Sequence, residues 1–442
     1  MASLGCAKNL VDAETMLGET LGDEFHLALD PADADVIVIN TCGFIADARD
    51  EAREVIGEYL ALKKKSRRRI RVVASGCWAE RAPKDLLAEF PGLDGAWGLS
   101  TPSSLREAIR NLEQCGGASG IGVPDRPREG ARLVTTLPSF AYLRLSDGCD
   151  NRCHYCAIPV IRGGLRSREP DAIVEEAKSL EDQGAGELVI ISQDTTAYGS
   201  DLRRPGVNLR SLLDRLLAAV SIPRVRLLYA HPAHLDDAVI ELLLNEPRLC
   251  RYLDLPIQHV SDKILSAMGR GYGRERILDI LGRLGRGFTV RTTILAGFPG
   301  ETEEDFRQAL ELVGEGWFRH LGAFAFSPED DTPARDFPDQ VPADVAAARR
   351  DALMEAQSRV AFAWLDSRVG GRERVLVDSR LDAEWFLGRS IHEAPDADGR
   401  IYLRGKGIEP GRVIEACIKT RDGYDLVAEK INPGRNGKRR GK

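Results

Sequence analysis

Short β-branched runs alternate with stretches whose apolar positions recur every three or four residues along most of the chain. In the first 120 residues, "DVIVINTC" (35–42) and "IRVVASGC" (70–77) read as buried strands. The segment "FIADARDEAREVIGEYLALKKK" (44–65) reads as an amphipathic helix. That alternation predicts an N-terminal open α/β domain with a parallel sheet over residues 1–120. Residues 121–138, "IGVPDRPREGARLVTTLP", are rich in Pro, Gly and Arg and read as a linker. Six strand signals follow between 139 and 367: "FAYLRLS", "GELVIIS", "RVRLLYA", "YLDLPI", "VRTTILAG" and "HLGAFAFS". Helical stretches such as 170–184 lie between them, so a partial (βα) barrel is expected, with its working face at the C-terminal strand ends. Residues 343–367 read as one long helix leading out of it. From 368 to 432 the pattern shortens to "RERVLVDS", "EWFLGRSI", "GRIYLRG", "RVIEACIKT" and "YDLVAEKI", separated by Gly and Asp turns. This predicts a small antiparallel β-barrel. The last ten residues, 433–442, form a basic tail.

Bulk composition fits this layout. The 442 residues, 43% hydrophobic, suffice for three domains with their own cores. No apolar run approaches the ~20 residues of a membrane helix, and no basic-then-apolar leader opens the chain. A cytoplasmic protein is expected. A net charge of −7 argues against a chain whose main task is gripping nucleic-acid phosphates.

The nine cysteines change the picture most. A reducing compartment makes a disulfide framework the wrong reading. Cys115, Cys250 and Cys417 stand alone and read as ordinary small residues. The other six form two sets of three. Cys149, Cys153 and Cys156 lie in "SDGCDNRCHYCAIP" with C-x3-C-x2-C spacing, just after the first barrel strand. Structural zinc sites close with four ligands, usually as paired C-x2-C units, and no second pair is nearby. Three thiolates instead suit an iron–sulfur cluster with one iron left open. Cys6, Cys42 and Cys77 are far apart in sequence, yet each follows a strand of the first domain. Neighbouring strand ends of a parallel sheet lie side by side, so these thiols are expected to converge. Gly5, Gly43 and Gly76 adjoin them and are read as leaving room for a bulky group.

The C-x3-C-x2-C motif resembles the signature of the radical S-adenosylmethionine (SAM) enzymes. The "SLGCAKNLVDAE" (3–14) opening resembles that of the methylthiotransferases, whose first strand usually begins several residues earlier, so either the first strand is short or its true start lies elsewhere. The resemblance spans Ser3 to about Ile431. It implies two 4Fe-4S clusters, one held by Cys149, Cys153 and Cys156 and one by Cys6, Cys42 and Cys77. It also implies that SAM binds the open iron of the first and is cleaved to a 5′-deoxyadenosyl radical, while the second handles sulfur. Tyr155 matches the aromatic residue expected beside the adenine. Ser192 and Gln193 in "IISQDTTAYG", and Gly297 and Gly300 in "ILAGFPGETEEDF", are the further candidates for SAM contact; Thr302 is expected to cap the next helix with Asp305. His231, His234 and His259 near strand ends are read as hydrogen-bonding rather than metal-binding groups.

Two branches of that family differ in substrate. "CAKNLV", "SQDTTAYG", "YLDLPIQHVSDKIL" and "FAFSPEDDTPA" resemble the RimO-type branch, which implies methylthiolation of the Cβ of an aspartate in small-subunit ribosomal protein twelve. The alternative is the MiaB-type branch, which modifies an adenosine of tRNA. The terminal barrel resembles a TRAM domain. Residues 368–431 hold twelve Lys or Arg against twelve Asp or Glu, a balance that suits docking on a protein better than on RNA. An electron donor and a sulfur donor are implied partners, both unidentified. No general acid or base is assigned.

Overall fold

The computed structural model describes residues 1–22, 24–99, 105–112, 117–125, 127 and 129–431. Cys115 and the basic tail lie outside the described residues. The strands are β1 Ala2–Ser3, β2 Val36–Thr41, β3 Arg71–Gly76, β4 Gly95–Trp97, β5 Gly117–Ser119, β6 Ala141–Arg144, β7 Ser146–Asp147, β8 Arg166–Ser167, β9 Leu188–Ile191, β10 Val225–Leu227, β11 Leu249–Asp254, β12 Thr289–Ala296, β13 Phe318–Ala325, β14 Arg372–Arg380, β15 Trp385–Arg389, β16 Ile401–Arg404, β17 Val413–Asp422 and β18 Asp425–Lys430. The helices are α1 Ala7–Thr20, α2 Ala46–Lys65, α3 Cys77–Arg81, α4 Pro83–Glu89, α5 Leu105–Arg110, α6 Ile158–Arg162, α7 Pro170–Asp182, α8 Leu209–Ala219, α9 Asp237–Asn245, α10 Asp262–Ala267, α11 Arg274–Leu284, α12 Glu303–Gly314 and α13 Ala343–Arg368.

Strands β1 to β5 form a parallel sheet in chain order. Strict alternation splits its apolar side chains between two faces. Ile37, Ile39, Val72 and Ala74 pack under α2, α3 and α4, while Val38, Val73 and Trp97 pack with Met16 of α1 and Leu105 of α5. The short β1 agrees with one of the two sequence expectations. The segment 131–136 runs along α1, where buried Glu14 binds Arg132 and the Thr135 backbone and hydroxyl.

The central sheet has the order β13-β12-β11-β10-β9-β6, with every pairing parallel. Its outer face packs on the helices through Leu143, Leu188, Ile190, Leu227 and Leu253. Its inner face is mixed. Tyr142, Val189, Ile191 and Leu228 pack against Ala7, Leu10 and Val11 of α1. Glu187, Arg226, Tyr252 and Arg291 bind the 389–398 segment of the C-terminal domain instead. Strand β11 begins three residues earlier than its apolar run predicts. Exposed Arg251 breaks that run, and Pro256 ends the pairing.

Strands β14 to β18 close into a barrel, with a core of Val375, Val377, Phe386, Ile401, Leu403, Ile418 and Ala428. Four of its pairings are antiparallel, but β16 and β18 run parallel. Alternating burial is the same in either direction, so the sequence pattern could not separate them. No helix among the described residues is long and apolar enough to cross a membrane.

Candidate active site

Cys6, Cys42 and Cys77 sit at the C-terminal ends of three adjacent strands. Cys6 is the N-cap of α1, Cys42 directly follows β2, and Cys77 opens α3 immediately after β3. The three thiols are near enough to act on one another electrostatically. Asn9 ties the segments together, donating to the Leu4 and Thr41 carbonyls at 3.1 and 3.0 Å, while Asn40 donates to its own carbonyl at 2.7 Å. The glycines act differently from the sequence expectation. A Cβ at Gly5 would lie 2.7 Å from Cys42 Cβ, at Gly43 2.6 Å from Trp78 Cα, and at Gly76 2.1 Å from Asn40 Oδ1. They let protein segments close on each other rather than leave space for a group.

The other set lies on the loop between β7 and α6. Cys149 N donates to Gly163 O and Cys156 N to Cys153 O, both at 3.1 Å, and His154 N donates to Met268 O at 3.0 Å. Arg270 points its Nη1 at Cys153 Sγ (3.3 Å) and at the Tyr155 hydroxyl (3.2 Å). Burial pushes Cys149 up to about 11 and Cys156 up to about 12. In the first domain burial likewise raises Cys42, and takes Cys77 up to about 12 against the pull of Arg162. Burial also acts on Cys6, but Lys8, Arg162 and the backbone N–H groups of Asn9 and Lys8 outweigh it and leave that thiol below its ordinary value.

Each set therefore offers three sulfur donors. Among the described residues the one group of three donor atoms that all lie within 4.8 Å of one another is Asp194, His231 and His234. Neither cysteine set closes that far, whereas sulfurs around a single tetrahedral zinc would be roughly 3.8 Å apart. Wider, all-thiol triangles fit a polynuclear iron–sulfur cluster better than a lone ion.

A buried polar chain joins the two sets. Arg162 donates to Cys77 Sγ (3.4 Å), Asn9 Oδ1 (2.8 Å), Asp12 Oδ2 (2.8 Å) and Asp147 Oδ1 (3.0 Å), two residues before Cys149. Gln193 Nε2 donates to the same Asp147 oxygen at 3.0 Å, and its buried Oε1 has no partner. Beside Cys149 a cavity of about 380 Å³ is lined by Asn151, Asp194, Thr196, Tyr198 and His234. Asp194 accepts from Asn151 Nδ2 at 2.7 Å and lies 2.7 Å from His234 Nδ1. Burial raises Asp194, but the His234 hydrogen bond, His231 and Thr196 outweigh it and hold the carboxylate at about 2. Burial depresses His231 to about 3, keeping it neutral.

The residues expected to contact SAM have the following protein neighbours. The Ser192 hydroxyl is fully buried and bonds to Ser146 and the Ile191 carbonyl, so it fixes the end of β9. Gly297 permits a close approach, but to α13: a Cβ there would lie 2.3 Å from Ala346 Cβ. Gly300, at φ +80°, serves a turn whose N–H donates to Asp339 O. Thr302 and Asp305 form the expected capping box. His259 Nδ1 accepts from Ser261 N at 3.0 Å. Sequence reading missed Lys8, Asn9, Asp147, Arg162, Asp194 and Arg270. Asp147 and Arg162 flank the cysteine loop, Lys8 and Asn9 closely follow Cys6, and Asp194 follows Gln193, so each of these carried a positional signal, whereas Arg270 carried none.

Residues 143–313 match the Radical SAM superfamily, 1–98 the Uncharacterized protein family UPF0004, and 369–431 the TRAM domain. Among solved structures, the radical SAM methyltransferase TsrM from Kitasatospora setae shares the fold at a TM-score of 0.50 and 20% identity, over 69% of this chain and 67% of that one. Curated relatives are much nearer. Ribosomal protein uS12 methylthiotransferase RimO of Desulforudis audaxviator is 41% identical over 98% of this chain and 96% of its own length. The protein of the same name from Geobacter sulfurreducens is 39% identical over 98% of both chains. Identity at this level across all three domains shows that the chain belongs to the ribosomal protein uS12 methylthiotransferase RimO family.

Proposed function

We propose that this chain transfers a methylthio group to the Cβ of an aspartate in ribosomal protein uS12, consuming two SAM molecules. The observation that carries the proposal is the full-length similarity to relatives named for uS12 methylthiolation. Two convergent three-thiol sets, one on each side of a domain junction, agree with it. Cys149, Cys153 and Cys156 would hold one 4Fe-4S cluster, and Cys6, Cys42 and Cys77 the other. When bound, these clusters and SAM supply the radical that takes a hydrogen atom from an unactivated carbon and the methylated sulfur that replaces it.

The chain's own residues prepare that chemistry. Arg270 and Arg162 donate to the Cys153 and Cys77 sulfurs, and the Arg162 charge lowers the Cys77 thiol against its burial, which aids ligation there. Helix α1 covers the inner face of the barrel with Ala7, Leu10 and Val11 and keeps bulk water from the junction. The cavity beside Cys149 has the location and the mix of polar and aromatic walls that SAM requires, and Tyr155 and Gln193 flank the same loop. Asp194, whose oxygens are filled by Thr196, Ala197, Asn151 and His234, fixes the wall of that cavity. No general base is needed, because the hydrogen leaves as an atom.

Nothing in the fold favours the tRNA alternative. We place the activity in the cytoplasm, with an external electron donor and sulfur donor. Mass spectrometry of uS12 and of tRNA, from cells with and without the gene, tests the reading. A methylthio group on a uS12 aspartate that disappears with the gene supports it. An unchanged uS12 with altered tRNA overturns it.

A further inference from the structure

Lys8 lies in the first turn of α1, two residues past Cys6. Its ammonium sits 3.3 Å from the centre of the Tyr229 ring. The residue is only 8% exposed; Tyr229 and the Cys6 thiol favour its charge and Arg162 opposes it, so the anion beside it is a sulfur already committed to the first-domain set rather than a carboxylate. A buried ammonium normally keeps a counter-ion, because its desolvation is otherwise uncompensated.

The other cations around the junction each face a carboxylate or are held by several acceptors, although Arg166 reaches Asp147 only at 3.8 Å and keeps its buried Nε and Nη2 without a hydrogen bond. Arg162 is paired with Asp12 and Asp147, Arg144 with Asp12, and Arg166 faces Asp147. Arg270 donates to the hydroxyls of Tyr272 and Tyr155, to Cys153 Sγ and to Pro256 O. Lys8 forms no ion pair with any described carboxylate. Its platform is itself unusual. Tyr229 holds φ at +60°, a conformation rare for a bulky residue, and Asp254 fixes it by accepting its N–H at 3.1 Å. The backbone at the end of β10 is held in a strained form that presents the ring beneath Lys8.

This inference rests on the proposed reaction. A hydrogen removed from the Cβ of an aspartate brings its carboxylate, one bond away, into the same water-poor junction. An anion there needs a cation that still has donors to give. We propose that the Lys8 ammonium receives the carboxylate of the target aspartate. It thereby orients Cβ between the two thiol sets and makes the enzyme select aspartate over asparagine.

The test uses the anaerobic holoenzyme, its K8M and K8R variants, uS12, and uS12 with the modified aspartate changed to asparagine. Fluorescence anisotropy measures binding; KM, kcat and iron content are measured in parallel. The wild type should bind the aspartate form about ten- to a hundredfold more tightly than the asparagine form, the range for a hydrogen bond to a charged group. K8M should bring the ratio close to one, with the effect in KM, and leave iron content and the affinity for the asparagine form unchanged. K8R should restore part of the ratio. A K8M enzyme that keeps the wild-type ratio overturns the proposal. So does one that keeps the ratio while its iron content or the reduction potential of the Cys6 cluster changes, since Lys8 would then serve the cluster. A wild type that modifies no aspartate of uS12 overturns the functional reading itself, and this inference with it.

Discussion

Glu329 lies on the loop after β13 and should set how firmly the N-terminal domain is held over the barrel. It is 4% exposed. Its Oε1 accepts from Ala46 N, the first residue of α2, at 3.0 Å, and its Oε2 from Arg49 (2.7 Å) and Arg81 (3.1 Å). The α2 N-cap, Ile45, supplies no side-chain acceptor, so the carboxylate caps this helix from the other domain. Arg81 ends α3, which Cys77 opens, and the same Glu329 loop reaches the other cysteine set when Ala334 N donates to His154 O at 2.9 Å. Removing one partner of a buried ion pair costs about 3–5 kcal/mol. The Arg49 side chain is 22% exposed and can turn to water, whereas that of Arg81 is 6% exposed and cannot. The lower end applies, about 3 kcal/mol for Glu329→Ala. At 1.36 kcal/mol per decade this is about a hundredfold rise in local opening. Hydrogen exchange of the anaerobic holoenzyme should show that loss of protection at 46–50, 78–82 and 327–334, with the strands β9 to β12 unaffected. SAM cleavage should persist while methylthio product per SAM falls. Protection changed by less than about threefold, or lost equally across the barrel sheet, would refute the idea of a local latch.

Replacing Cys149, Cys153 and Cys156 together by Ala should leave about half the wild-type iron and abolish SAM cleavage; loss of all iron would count against two independent sites. Cys42→Ala should abolish methylthiolation while SAM cleavage remains measurable, and its loss with the barrel iron intact would argue against separate roles. Burial raises Glu187, but Arg226 and Arg389 outweigh it and bring its pKa down to about 2. The resulting stabilisation, about 3 kcal/mol, should be full above pH 4.5 and lost as pH falls toward 2. Urea titrations of the wild type and Glu187→Gln should show a stability gap that narrows across that window; a gap constant with pH would contradict it. Gly297→Ala should lower stability by about 2–3 kcal/mol through collision with Ala346. Gly300→Ala, whose Cβ meets nothing within 4 Å, should cost only the backbone penalty of about 1 kcal/mol; equal thermal shifts for the two would remove the packing argument.

The two cysteine sets could be picked out from local sequence, Cys6, Cys42 and Cys77 by their places after strands and Cys149, Cys153 and Cys156 by their close spacing. Their wiring could not. Arg162 meets Asn9 across 153 residues and Cys77 across 85, and Arg270 meets Cys153 across 117. No window of sequence holds both members of such a pair. Ser192 and Gly297 show the converse case. Their positions at strand ends were read well, but whether a side chain faces the opening or the packing behind it depends on the neighbouring strand or helix. For Ser192 that neighbour is Ser146, and for Gly297 it is Ala346.

The charge count of the C-terminal barrel shows most clearly why a composition argument stops short. Twelve cations against twelve anions suggested a neutral docking face. Several of these charges face inward. Arg389 pairs with Glu187 and Asp378, Arg368 with Glu373 and Glu393, and Asp398 with Arg291 and His320. Glu187–Arg389, Arg291–Asp398 and His320–Asp398 cross between domains and fix the barrel to the inner face of the central sheet, while the Arg368 pairs and Arg389–Asp378 tie the C-terminal domain to itself. Removing one member would leave an uncompensated charge in the junction. Part of the balance of acid and base is therefore spent inside the molecule and says nothing about a docking face. What meets the substrate has to be sought where a buried charge has no carboxylate partner among the described residues, which is the situation of Lys8.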